Sequence, residues 1–330
     1  MADTVQDRIN QYLKDTIAAE RNFEKALRTF SETGEQSPVQ RLMATASARA
    51  KTQHERLESL LKSRGESPSE GKTLLAETLA FTPLSAQLGQ GAAEKNTQHL
   101  MVTFAAAAAE MAMYESLATA GKEGGAENVV SLAKTLQDEE RDDYEQVWSI
   151  LGPSASDSFQ AELNKGQNAD KVLIRYLEDA IAAEKSFETQ LTGFSKEVEE
   201  PILQTLFRQH AAETKEQYTL LTERLEQLGG STSGLKSFLA HIFNFAPKIA
   251  QIGHDKFERE TQDLMMAYAV ENAEVAMYES LAVAAAVAGD SRTEQLARAI
   301  QQQEKQTAEK VWAQIAPAAK RAVQASSGAY

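Results

Sequence analysis

The stretch YLKDTIAAERNFE at 12–24 returns as YLEDAIAAEKSFE at 176–188, and EMAMYESLA at 110–118 returns as EVAMYESLA at 274–282. Both pairs are offset by 164 positions, and the same offset carries Trp148 onto Trp312 and Pro153 onto Pro317 without a gap. A period this long is too great for a solenoid repeat and marks a duplicated domain. Within each copy the apolar residues recur every three or four positions. Ile9, Leu13, Ile17, Phe23, Leu27 and Phe30 form one such stripe, and Leu173, Leu177, Ile181, Phe187, Leu191 and Phe194 form its counterpart. That spacing is helical, and no run of alternating β-branched residues competes with it.

The seven prolines stand where helices are expected to begin or end. The first copy is read as helices near 4–33, 38–64, 94–121 and 126–151, and the second near 168–197, 201–228, 256–288 and 291–316. Short apolar helices are expected in the crossovers, around 72–89 and 235–253. Four long helices with a long connection between the second and third describe a ferritin-like bundle. The expected architecture is all-α: two tandem ferritin-like four-helix bundles, 1–153 and 169–330, joined by a linker at 154–168 rich in Ser, Gly and Asn. The two bundles are expected to pack as an intramolecular pseudo-dimer. The tail after Ala319 is expected to fray.

Composition excludes several function classes. The 330 residues include no cysteine, which removes disulfides, thiolate nucleophiles and Cys-ligated metals. The formal charge is −14, which disfavours nucleic acid or an anionic membrane surface as partner and suits cations. The opening MADTVQDRIN lacks the apolar core of a signal peptide, and no apolar run approaches a membrane span, so a soluble, cytoplasmic chain is expected. No Gly-rich phosphate loop, serine elbow or His–Glu–x–x–His motif is present, and catalytic residues are not assigned.

The functional signal is acid placed in apolar stripes. Glu20 lies among Leu13, Ile17, Phe23 and Leu27, and Glu184 stands in the same frame. Glu304 follows Leu296 and Ile300. Leu264, Tyr268, Glu271, Val275 and Tyr278 form one stripe with Glu274 beside it, and Leu206, His210, Glu213, Gln217 and Leu221 are read as one face of helix 2. The second copy thus offers an acid from each of four helices to one interior. Buried carboxylates need cations or protons, and carboxylate-bridged divalent metal sites are built this way. The alternative is a metal-free structural or interaction protein, in which the buried acids bond to Tyr, Arg and Gln.

HAAETKEQ at 210–217 together with ENAEVAMY at 271–278 resembles the YciE/YciF-type ferritin-like stress proteins, once per repeat. The resemblance implies a stress-associated protein. More distantly, two Glu at i and i+3 on helix 3 resemble rubrerythrin-type di-iron proteins. The mapping implies metal positions at Glu184, Glu213, Glu271, Glu274 and Glu304, with His210, Glu216 or Gln217 as additions, and Fe or Mn as the ion. The Glu–x–x–His of di-iron helices 2 and 4 is missing, since Glu216 follows Glu213 and Thr307 follows Glu304. In the first copy, Ala46, Arg49 and Ala107 stand for His210, Glu213 and Glu271. Arg49 is expected to supply a cation at the centre of Glu20, Glu110 and Glu140, in place of a metal. Trp148 and Trp312 are expected to plug the bundle ends, and His54 and His99 to lie at surface or boundary positions.

Overall fold

In the computed structural model, residues 4–33, 37–68, 91–232 and 255–326 are described. They form eight helices and, among the described residues, no strand. These are α1 (Val5–Glu32), α2 (Pro38–Ser63), α3 (Ala92–Glu123), α4 (Glu127–Asn164), α5 (Ala169–Glu197), α6 (Pro201–Gln227), α7 (Lys256–Ala288) and α8 (Ser291–Ser326). The short helices expected at 72–89 and 235–253 lie outside the described residues.

Local chemistry sets several of the ends. Thr4 and Asp7 form a reciprocal capping box at the start of α1, with Thr4 N–H donating to Asp7 at 2.9 Å and Asp7 N–H to Thr4 at 3.1 Å. Ser37 caps α2 ahead of Pro38 at the first turn, where its missing N–H is harmless. The carboxylate of Asp255 accepts from the Phe257 and Glu258 amides, both at 3.0 Å, and starts α7. Gly289, at φ 75°, closes α7 in the left-handed conformation that favours glycine.

Within each half the first helix packs on the second and the third on the fourth. Across the halves, α3 packs on α7. Both are buried on nearly every face, which is why they read as apolar all round; the run Ala105–Ala109 lets backbones approach closely. The cross-contacts are reciprocal: Ser116 Oγ lies 3.5 Å from Met265 Sδ, and Ser280 Oγ lies 3.6 Å from Met101 Sδ. Ser116 and Ser280 are repeat-related, and so are Met101 and Met265. That pattern defines a pseudo-twofold axis. One apolar core runs continuously through both halves.

Four expectations are corrected. The stretch 154–168 is not an irregular linker: α4 runs through Pro153 to Asn164, leaving only 165–168 outside helix. Likewise α8 runs through Pro317 to Ser326, and the tail after Ala319 is ordered helix. Both prolines face solvent, so the carbonyl left without its helical N–H need not be buried unpaired. Beyond them Ala155, Phe159, Ala318, Ala319, Ala322 and Val323 are buried, and that packing outweighs the lost bond. Third, Trp148 and Trp312 do not plug bundle ends; both line a cleft between the halves. His99 is also buried, stacked 4.1 Å from Phe30, and burial pulls its pKa down to about 4.

Candidate metal centre

In the second half, one ligand atom each of His210, Glu271, Glu274 and Glu304 lies within 4.8 Å of the others, and all four side chains are buried. α6 supplies His210, α7 supplies Glu271 and Glu274 one turn apart, and α8 supplies Glu304. His210 Nδ1 is 3.1 Å from Glu271 Oε1, and its Nε2 is 3.7 Å from Glu304 Oε2, in both cases without the alignment of a hydrogen bond. Phe187 meets the imidazole edge-on at 5.1 Å and fixes its plane. Glu184 on α5 is fully buried beside the group and accepts from the Tyr278 hydroxyl. Gln217 donates to Glu304.

Much of this group is without partners. Both oxygens of Glu271, both of Glu274, one of Glu184 and both ring nitrogens of His210 are buried with no hydrogen bond. Burial raises Glu271, Glu274 and Glu184 well above the ordinary carboxylate range, and repulsion among the acids adds to it. The donor set, several carboxylates and one imidazole, fits a divalent cation: it would give those orphaned atoms a partner and relieve the repulsion.

Of the positions read from sequence, Glu184, Glu271, Glu274, Glu304 and His210 are brought together, and Glu213 is not. The Glu213 side chain is 45% exposed, 3.9 Å from Lys310 Nζ and accepting from Thr307 at 3.4 Å. The buried line of α6 runs Leu203, Phe207, His210, Thr214, Gln217, Leu221, Leu225. Its steps of three or four residues put Thr214 on the inner seam and turn Glu213 toward water. Thr214 and the carboxylate-orienting Gln217 are the residues whose inward role sequence reasoning passed over or left open. The apolar positions 203, 207, 221 and 225 already carried that register.

The first half keeps a smaller version. Glu20, Glu110 and Glu140 are buried and bring one oxygen each within 4.8 Å of one another. Tyr114 donates to Glu20, and Gln53 donates to Glu140 at 2.8 Å, repeating the Tyr278 and Gln217 contacts. Both oxygens of Glu110 have no donor. Burial, with help from Asp143, raises Glu140 to about 7. Arg49 does not occupy the centre. Its guanidinium lies 2.9 Å from Asp143, donates to the Glu139 carbonyl at 3.0 Å, and is 28% exposed. The reason is the register of helix 2: position 49 corresponds to 213, outside the buried seam, so a long cation there reaches water.

The fold and these interiors define a tandem pair of ferritin-like helical bundles, each enclosing buried carboxylates. The chain matches the family described as Domain of unknown function (DUF892) over residues 4–157 and again over 168–324, and it belongs to that family. A solved structure of a protein from Xanthomonas campestris pv. campestris is similar at 27% identity and a TM-score of 0.41, covering 48% of this chain and 98% of the other. Comparison with curated proteins gave no match. Among the described residues, no helix is long and apolar enough to cross a membrane.

Proposed function

We propose that this chain is a ferritin-like metal-binding protein of the cytoplasm whose second half takes one or two divalent ions, iron or manganese, through His210, Glu271, Glu274, Glu304 and Glu184. The observation that carries the reading is the set of buried ligand atoms converging from four helices, most of them, on α5, α6 and α7, without a hydrogen-bond partner. An imidazole among carboxylates favours Fe or Mn over Mg or Ca. A bound iron or manganese ion supplies electron exchange with dioxygen or peroxide. The chain's own residues supply the rest: Gln217 orients Glu304, Tyr278 holds Glu184, Phe187 holds the His210 ring, and the surrounding core excludes water. The resemblance to YciE/YciF-type proteins supports a role in stress responses.

Metal analysis of protein purified without chelator, and again after loading with Fe(II) or Mn(II), tests this. One or two equivalents per chain are expected, lost in Glu271→Gln and His210→Ala and retained in Glu213→Ala. Absence of metal after loading overturns the reading. It would favour the alternative, a metal-free structural or interaction protein whose inner acids stay protonated. The Tyr and Gln donors to the inner carboxylates, repeated in both halves, are the observation on its side.

A further inference from the structure

A cleft of about 570 Å³ opens on the seam between the halves, and none of the inner carboxylates lines it. Its lining comes in repeat-related pairs: Trp148 with Trp312, Phe104 with Tyr268, and Arg141 with Lys305. The pseudo-twofold axis therefore passes through it. The pairing breaks at one place. Tyr144 of the first half stacks on Phe104 at 3.9 Å and donates to Asn272 at 2.7 Å. Its repeat partner is Ala308, and the partner of Asn272 is Ala108. On one side of the axis stand a phenol ring and its acceptor; on the other the same positions hold two alanines, of which Ala308 lines the cleft.

The cleft is walled by aromatic rings from both halves. Tyr268 and Trp312 lie 5.0 Å apart, and Phe104 and Trp148 5.2 Å apart. Lys305 Nζ stands 4.9 Å over the Trp148 ring, and among the described residues no carboxylate lies within ion-pair distance of it. Arg141 shares the rim, pairing with exposed Asp138 at 2.9 Å. Glu145 and Glu309 also line the cleft but are exposed, whereas Lys305 is half-buried. The volume matches small-molecule sites, which combine apolar walls with a few polar groups.

We propose that this cleft binds a flat aromatic acid, of two or three fused rings and one carboxylate or sulfonate. Indole and phenol rings take the ligand's faces and edges, and Lys305, assisted by Arg141, takes the anion. The site shares no residue with the carboxylate groups of the bundle interiors. Fusion of the halves is what permits the two sides to differ, because a homodimer would carry the same residue at this position on both sides of the axis.

The chain has two tryptophans, and both line the cleft, so the protein's own fluorescence reports occupancy. Full-length protein is titrated with anthracene-2-carboxylate, which absorbs where indole emits. Saturable quenching at one equivalent per chain is expected. Ala308→Tyr, which restores the ring, and Lys305→Gln, which removes the charge, are each expected to weaken binding about tenfold or more. The flat cation 9-aminoacridine is expected to bind more weakly. Absence of saturable quenching, unchanged affinity in Lys305→Gln, or tighter binding of 9-aminoacridine would overturn the proposal. Circular dichroism checks that Ala308→Tyr folds; if it does not, Lys305→Gln decides.

Discussion

Glu140 is where burial and pH meet most directly. Its folded pKa is raised to about 7 by burial and by Asp143, from an ordinary 4.5. The folded chain therefore keeps a proton that the unfolded chain releases between those values. Stability from this group is full below pH 4.5 and declines as pH rises through 7, by at most about 3 kcal/mol. Glu20 and Glu110 are shifted the same way by burial and mutual repulsion, so they add to the trend. In chelator-treated protein, urea unfolding is expected to give lower stability at pH 8 than at pH 5. Glu140→Gln should flatten that slope, since a neutral amide has nothing to ionise. Parallel pH profiles for parent and variant would sink this assignment.

At the scale of elements, the fourth helix of each half carries a segment past its proline onto the other half. Phe159 of α4 lies 6.1 Å from Tyr176 of α5, and Ser158 lies 3.2 Å from the same hydroxyl. Val323, the repeat partner of Phe159, is buried in the first half's cluster with Ile9 and Tyr12, the latter the partner of Tyr176. Lys320 meets Glu123 at 3.0 Å beside it. These extensions are a reciprocal exchange of arms. Phe159→Ala should cost about 3–5 kcal/mol by opening a cavity, measured by chemical denaturation. A loss below about 1 kcal/mol would mean the arm is not part of the core. The arms also mark a limit on what was legible in the sequence. Helical period and the 164-residue offset mark the helices and the duplication. Proline punctuation misled at 153 and 317, because a single residue's missing bond is weighed against tertiary burial that local pattern does not display. At the site, acids inside apolar stripes pointed to Glu184, Glu271, Glu274 and Glu304. On α6 polar residues fill much of the buried seam, so the apolar pattern defines its phase weakly and leaves Glu213 one position from the inner line. The cleft was invisible for a related reason: it exists through contacts between halves.

The whole molecule behaves, on this geometry, as one body with two sequences rather than as two beads. α3 and α7 have no polar face to show to water if parted, and Met101, Met265, Phe159 and Val323 are all buried in the assembled chain. Exposing a side chain of that kind costs about 1.5–3 kcal/mol. A handful of them equals the whole stability of an ordinary domain, about 5–15 kcal/mol. Neither half is then expected to persist folded alone, and unfolding should be a single transition. The connection at 165–168 is exposed, with Gly166 at φ 80°, so a protease site inserted there can be cut without touching the core. After cleavage the two fragments should still co-elute as one species near 36.1 kDa and melt together, as an obligate interface requires. Fragments that part in native buffer, or that melt in two steps, would show that the connection, and not the shared core, holds the halves together.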